Sequence, residues 1–233
     1  MSNNLDQLCR RFEIAVENFG RSCIDLQSNE ATFQAWFAAC LIQEFGQGRV
    51  YREVHLERIS LLSKLNPVPD FIKKLRQNSE LKTDIAITWD PYVDTRHSAT
   101  REKRSQDAGD MLLQLGIITE LKVTGSKKNR TPDNDVIVDF QKLAAFSAAR
   151  ALKDSDENER GLAAYMIILD NNMDAKGNPK ADFPHKTFGP WLARKIKPQW
   201  PENVNPPRTL LLSLERGACV MHKYVISIRP DAV

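Results

Sequence analysis

Asp84 heads the run Asp84-Ile-Ala-Ile87, and Glu120 and Lys122 sit two apart within Ile117-Ile-Thr-Glu-Leu-Lys-Val123. Side chains alternate along a strand, so Glu120 and Lys122 share one face while Ile117, Thr119, Leu121 and Val123 take the other. Opposite charges inside an otherwise apolar strand are costly unless something local uses them. If the two strands pair, Asp84 and Glu120 lie side by side. Two close carboxylates repel, and each raises the other's pKa unless a cation sits between them. Mg2+, with Mn2+ as a substitute, suits such hard oxygen ligands and keeps water in its open positions, at about 2.0–2.1 Å. A metal there would bind a phosphate oxygen, lower the pKa of a bound water and screen developing charge. Lys122, at roughly 4 Å from that charge, would contribute ~1–4 kcal/mol by stabilising a pentavalent phosphorane, or would orient the attacking water.

Asp84 followed, after an insertion, by Glu120-Leu121-Lys122 resembles the PD-(D/E)XK nuclease superfamily, which has the restriction-endonuclease-like fold. The resemblance covers roughly residues 28–170 and extends to the order of elements: a helix, a hairpin carrying the Asp, the Glu-x-Lys strand, a helix and a further strand. It implies that Asp84, Glu120 and the backbone carbonyl of Leu121 hold the metal and that Lys122 serves the phosphate. Many members add a Glu from the preceding helix, and Glu30 in Ser28-Asn-Glu-Ala-Thr-Phe33 is the best candidate. The sequence departs from the family in three ways. Thr83 precedes Asp84 in place of Pro, and the interval to Glu120 is longer than in compact members. The Gln-x-x-x-Tyr motif of the RecB-like exonuclease branch is absent, because Gln141 is followed four residues later by Ala145. The resemblance implies a Mg2+-dependent endonuclease acting on DNA, of restriction or defence type by analogy. Cutting duplex DNA further implies a homodimer, since two antiparallel strands call for two sites related by a two-fold axis. The alternative is a catalytically silent member of the fold that binds nucleic acid or a protein partner.

Each candidate has a plainer competitor. A second Glu-x-Lys, Glu80-Leu81-Lys82, lies downstream of a literal Pro69-Asp70, but residues 70–79 are spaced helically and Asn78-Ser79-Glu80 reads as a turn. Glu30 in a first helical turn would be favourable through the helix dipole alone, by ~0.3–1 kcal/mol. Glu44 and Glu53 are fallback candidates for its role. Asp139 and Lys142, three apart on a later helix, form either a surface ion pair or a buttress of the site. Arg101, Lys103 and Arg104 in one loop, and Lys127, Lys128 and Arg130 in another, are candidate phosphate contacts because both loops leave the strands that carry the site. Trp191 and Trp200 could stack on bases or pack beneath a long loop.

The elements that must position these residues follow from hydrophobic spacing. Leu5, Leu8, Phe12, Ala15/Val16 and Phe19 predict an amphipathic helix over residues 5–19 that stops at Gly20. A second helix, capped by Ser28 or Asn29, runs to about Phe45; its apolar stretch 31–42 predicts burial on nearly every side. Residues 51–60 alternate as a strand. Residues 61–82 are irregular, with helical spacing at Phe71, Ile72 and Leu75. Strands follow at 83–89 and 117–123, separated by an insertion at 90–116 that ends in a short helix through Met111, Leu112 and Leu115. A helix at 135–152 turns Val136, Phe140, Leu143/Ala144 and Ser147 inward. The apolar run 162–169 predicts a central strand covered on both faces. Residues 171–233 form an extension: an irregular stretch with a short helix at 191–196, then a hairpin around Arg216-Gly217. The fold class is therefore α/β, one domain over residues 1–233, with a mixed sheet flanked by helices and a C-terminal β-hairpin.

Composition narrows the function classes further. The 233 residues carry a net charge of +3, with 42% hydrophobic and 27% charged residues, which suits one core and a solvated surface. Cys9, Cys23, Cys40 and Cys219 form no Cys-x-x-Cys pair, and His55, His97, His185 and His222 are isolated, so no zinc ligand set is visible. No Gly-rich phosphate loop follows any predicted strand, which disfavours a small-molecule α/β enzyme. No apolar run is long enough to span a membrane, and the start lacks a signal layout, so a cytoplasmic protein is expected.

Overall fold

The computed structural model describes residues 4–24, 26, 28–55, 82–93, 112–124, 133–151, 160–172, 185–196, 206–215 and 218–224. Two helices lead: α1 (Leu5–Ser22) and α2 (Glu30–Phe45). Each starts where an asparagine accepts from an otherwise orphaned amide: Asn4 from the Asp6 N–H at 3.0 Å, Asn29 from the Thr32 N–H at 2.9 Å. The strands are β1 (Val50–His55), β2 (Lys82–Thr88) and β3 (Leu115–Thr124). Helix α3 (Asp133–Ala151), β4 (Ala163–Asp170), α4 (His185–Ile196), β5 (Arg208–Glu215) and β6 (Ala218–Tyr224) follow.

The six strands form one sheet in chain order. Neighbours β1–β2, β2–β3 and β5–β6 are antiparallel, whereas β3–β4 and β4–β5 are parallel and joined by helical crossovers. The result is three layers. Phe12, Phe19, Phe33 and Phe37 of α1 and α2 meet Ile85, Ile87, Ile117, Leu121 and Ile167 on one face. Val136, Phe140, Leu143, Phe188 and Leu192 of α3 and α4 meet Ala86, Ile118, Met166 and Ile168 on the other. Every residue of β4 is buried, as a parallel strand with a helical layer on each side requires.

Helix α4 starts at His185, six residues before the expected 191–196, and three further details differ from the sequence expectation. Helix α1 continues through Gly20 to Ser22. A Cβ at Gly20 would lie 2.5 Å from Cys219 Sγ, so this glycine permits close approach of α1 to β6 and does not end the helix. Helix α2 buries only one side, through Phe33, Phe37, Ala38, Leu41 and Phe45; Trp36 and Ile42 face outward because α2 is an outer layer with no element beyond it among the described residues. Strand β3 starts at Leu115, so the insertion ends before it, and a register shift between Ile87 and Thr88 skips Gly116. The irregular stretch with Phe71, Ile72 and Leu75 falls outside the described residues, as do Met111 and Trp200.

Candidate active site

Strand alternation puts Asp84, Glu120 and Lys122 on the face covered by α3. Their neighbours Ile85 and Leu121 belong to the core under α1 and α2, while Ala86 and Ile118 belong to the core under α3. The main-chain pairing of β2 with β3 runs to Ile85 opposite Thr119. Past that point side chains replace the ladder. The Leu121 N–H donates to Asp84 Oδ2 at 2.9 Å, and the Asp84 N–H donates toward Glu120 Oε1 at 3.3 Å. The Thr83 hydroxyl, fully buried, spans the Thr119 carbonyl at 2.8 Å and the Ile85 carbonyl at 3.1 Å. Thr83 thus gives its one proton to a backbone oxygen where the strands separate, the Thr119 carbonyl being the nearer, a role for the position before the aspartate that sequence reasoning did not assign.

On its other side Asp84 faces a second break. The β1–β2 register includes Arg52 opposite Ile85 and Val54 opposite Thr83, but omits the Glu53–Asp84 pair between them. Glu53 has φ 51°, a left-handed conformation that costs a side-chain-bearing residue energy. It is exposed and pairs with Lys82 at 3.2 Å, so it does not take the role held in reserve for it. Glu44 also lies elsewhere, bound to Arg11 at 2.7 Å.

Glu30 does reach the site. From the first turn of α2 it lies 3.6 Å from Lys122 Nζ and accepts a hydrogen bond from the Val123 backbone. Lys122 also contacts Asp139 Oδ2 at 2.8 Å. Asp139 Oδ1 lies 3.0 Å from Lys142, and Lys142 lies 2.8 Å from Glu120 Oε1. Asp139 and Lys142 are therefore no surface pair: their side chains are 12% and 13% exposed, and they buttress the motif residues from α3. Their three-residue spacing signalled a shared face, but only the tertiary arrangement shows that this face covers Glu120.

Four carboxylates (Glu30, Asp84, Glu120, Asp139) surround two ammonium groups (Lys122, Lys142), which leaves a formal charge of −2 when all are ionised. Burial pushes the Glu120 carboxyl well above the ordinary range; the Asp84 charge adds to this and Lys142 only partly opposes it. Burial also raises Glu30, with Lys122 opposing and Asp84 reinforcing. For the lysines burial, the largest single effect, works the other way, yet Asp139, Glu30 and Asp84 together outweigh it at Lys122, and Glu120 and Asp139 together outweigh it at Lys142, so both hold their protons above the ordinary lysine value. All four shifts are upward, from burial first at the two carboxyls and from neighbouring carboxylates at the two lysines.

That excess is the test of whether a divalent cation fits, and the donors suit one: hard carboxylate oxygens with a two-charge deficit of cation. The Leu121 carbonyl is the other proposed ligand. Residues of equal parity on a strand turn their polar backbone groups to the same edge. The Leu121 N–H and the Thr119 carbonyl both point to β2, so the Leu121 carbonyl does too. Among the described residues no set of three or more His, Cys, Asp or Glu side chains is gathered at metal-ligand spacing; the carboxylates turn to ammonium and amide donors instead. Arg101, Lys103, Arg104, Lys127, Lys128 and Arg130 lie outside the described residues. Trp191 packs 5.7 Å from Phe188 and joins the α3-side core.

No protein-family model, curated protein or solved structure matches this chain. No helix among the described residues is long and apolar enough to cross a membrane.

Proposed function

We propose that this chain is a Mg2+-dependent endonuclease of the PD-(D/E)XK type with a restriction-endonuclease-like core, hydrolysing DNA phosphodiester bonds in restriction or defence in the cytoplasm. One observation carries the proposal: Asp84 and Glu120 converge from adjacent strands, with Lys122 on the same face, inside a buried cluster that lacks two positive charges. Asp84, Glu120 and the Leu121 carbonyl would hold the ion, with Mn2+ able to replace Mg2+. Bound there, the ion supplies charge screening at the phosphate and an acidified water.

The remaining steps belong to the protein. Lys122, anchored by Asp139 and Glu30, keeps its proton and presents a fixed positive charge to the scissile phosphate. Glu30 holds Lys122 and the Val123 backbone from the α2 terminus, which makes it a positioning residue for the Glu-x-Lys strand. Duplex DNA as substrate would call for a homodimer. With purified protein and DNA, cleavage should require Mg2+ and stop with chelator, and Glu120→Ala or Lys122→Ala should lower it by at least ~100-fold while the fold persists. Full activity in both variants would end the assignment.

A second proposal has its own support. Each lysine already has carboxylate partners, and such a closed ion-pair network also suits a catalytically silent fold that binds nucleic acid or a protein. Thermal unfolding separates the two. A working site gains stability with Mg2+ or Mn2+, by about 2.7 kcal/mol at a hundred times Kd, whereas a silent one does not.

A further inference from the structure

The two lysines of the site are not equivalent. Lys122 contacts Asp139 and Glu30, whereas Lys142 lies 2.8 Å from Glu120 Oε1, the oxygen that also faces the Asp84 amide. An ammonium group thus sits against one of the two carboxylates to which the metal position has been assigned. Lys142 has a second partner one helical turn back, Asp139 Oδ1 at 3.0 Å. Its four-carbon stem allows the charged head to move while α3 stays in place. Asp139 is suited to keep that head, because its two oxygens already divide between the two lysines.

Resting on the metal-site proposal, we propose that Lys142 is the resident counter-ion of the cation position. Loading the site is then an exchange: the divalent ion takes Glu120, and the ammonium group leaves Glu120 and is retained by Asp139. Two consequences follow from the charges alone. Without metal, Lys142 keeps Glu120 from being buried beside Asp84 with no cation. With metal, ammonium and ion compete for one carboxylate, so Lys142 lowers metal affinity while Lys122 keeps its own partners, Asp139 and Glu30. With Glu120 ionised, no covalent bond is made or broken; only the partner of one ammonium group changes.

The test is binding, read without activity. Free Mn2+ is followed by electron paramagnetic resonance during titration of the wild type, Lys142→Met, Lys142→Gln and Glu120→Gln, each checked for folding by circular dichroism. The exchange predicts Mn2+ binding about ten-fold tighter in Lys142→Met, tighter also in Lys142→Gln, and lost in Glu120→Gln. If Lys142→Met does not fold, Lys142→Gln decides, since its amide can still donate to Glu120. Binding that is unchanged or weaker in the Lys142 variants, yet lost in Glu120→Gln, overturns the exchange and leaves the metal site standing. No binding in any of the four proteins overturns both.

Discussion

Glu120 carries the most telling energetics at the residue scale. Its carboxyl is 2% exposed, faces Asp84, and is only partly compensated by Lys142. Its folded pKa lies above the unfolded value, so in the window between them the native state holds a proton that the unfolded chain has released. Stability therefore falls as pH rises from the ordinary carboxylate range through that window. Glu120→Gln removes the charge and leaves Lys142 its partner Asp139. The variant should lose this pH slope and, at pH 8, be as stable as the wild type or about 1–2 kcal/mol more stable. Urea midpoints at pH 5 and pH 8 measure both. A loss of about 3–5 kcal/mol would mark Glu120 as half of a structural ion pair instead. The motif trio was legible because charge in an apolar strand is conspicuous. Asp139 and Lys142 were ambiguous because an i,i+3 pair looks the same on a wet helix face as on one laid over a sheet.

At the scale of elements, the site depends on β2 leaving β3 after Ile85–Thr119 and losing its pairing with β1 at Glu53. Thr83 makes the first separation tolerable by donating to the Thr119 carbonyl. Thr83→Val keeps the shape and removes the donor. It should cost about 1–3 kcal/mol and also lower cleavage, because the seat of Asp84 shifts with the backbone. Chemical denaturation and a DNA-cutting assay read the two effects, and wild-type values in both would deny Thr83 this role. Helices and strands could be read from spacing because the α3 stripe, Val136, Phe140, Leu143 and Ser147, is buried as its periodicity demands. The ladder breaks could not be read, since a strand that loses its partner for one residue has the same alternation as one that keeps it. Gly20 misled for a related reason: helix termination and close packing both select glycine, and only Cys219 at 2.5 Å from the missing Cβ distinguishes them.

For the molecule as a whole, net charge bears on the proposed substrate. The chain carries +3 and the buried cluster −2, so the remainder carries +5. A net basic remainder is compatible with the polyanionic substrate of the proposed function. If Lys127, Lys128 and Arg130 touch phosphates, replacing all three with Ala should flatten the plot of log affinity against log salt by about 2–3 units. An unchanged slope, measured by fluorescence anisotropy with a DNA duplex in Ca2+, would remove that loop from the interface. The α/β class and the C-terminal hairpin were legible from element order, because a helix between two apolar strands demands a parallel crossover. The approach of α2 to β3 was expected only through the resemblance that singled out Glu30, and that of α3 only as one of two readings of Asp139 and Lys142, because no local pattern encodes which helix ends meet. The most direct measurement is anomalous diffraction from crystals soaked in Mn2+. The account predicts a peak within about 2.0–2.4 Å of carboxylate oxygens from both Asp84 and Glu120, absent in Glu120→Gln. A saturated soak with no peak between those two side chains, and Lys142 still against Glu120, would contradict it.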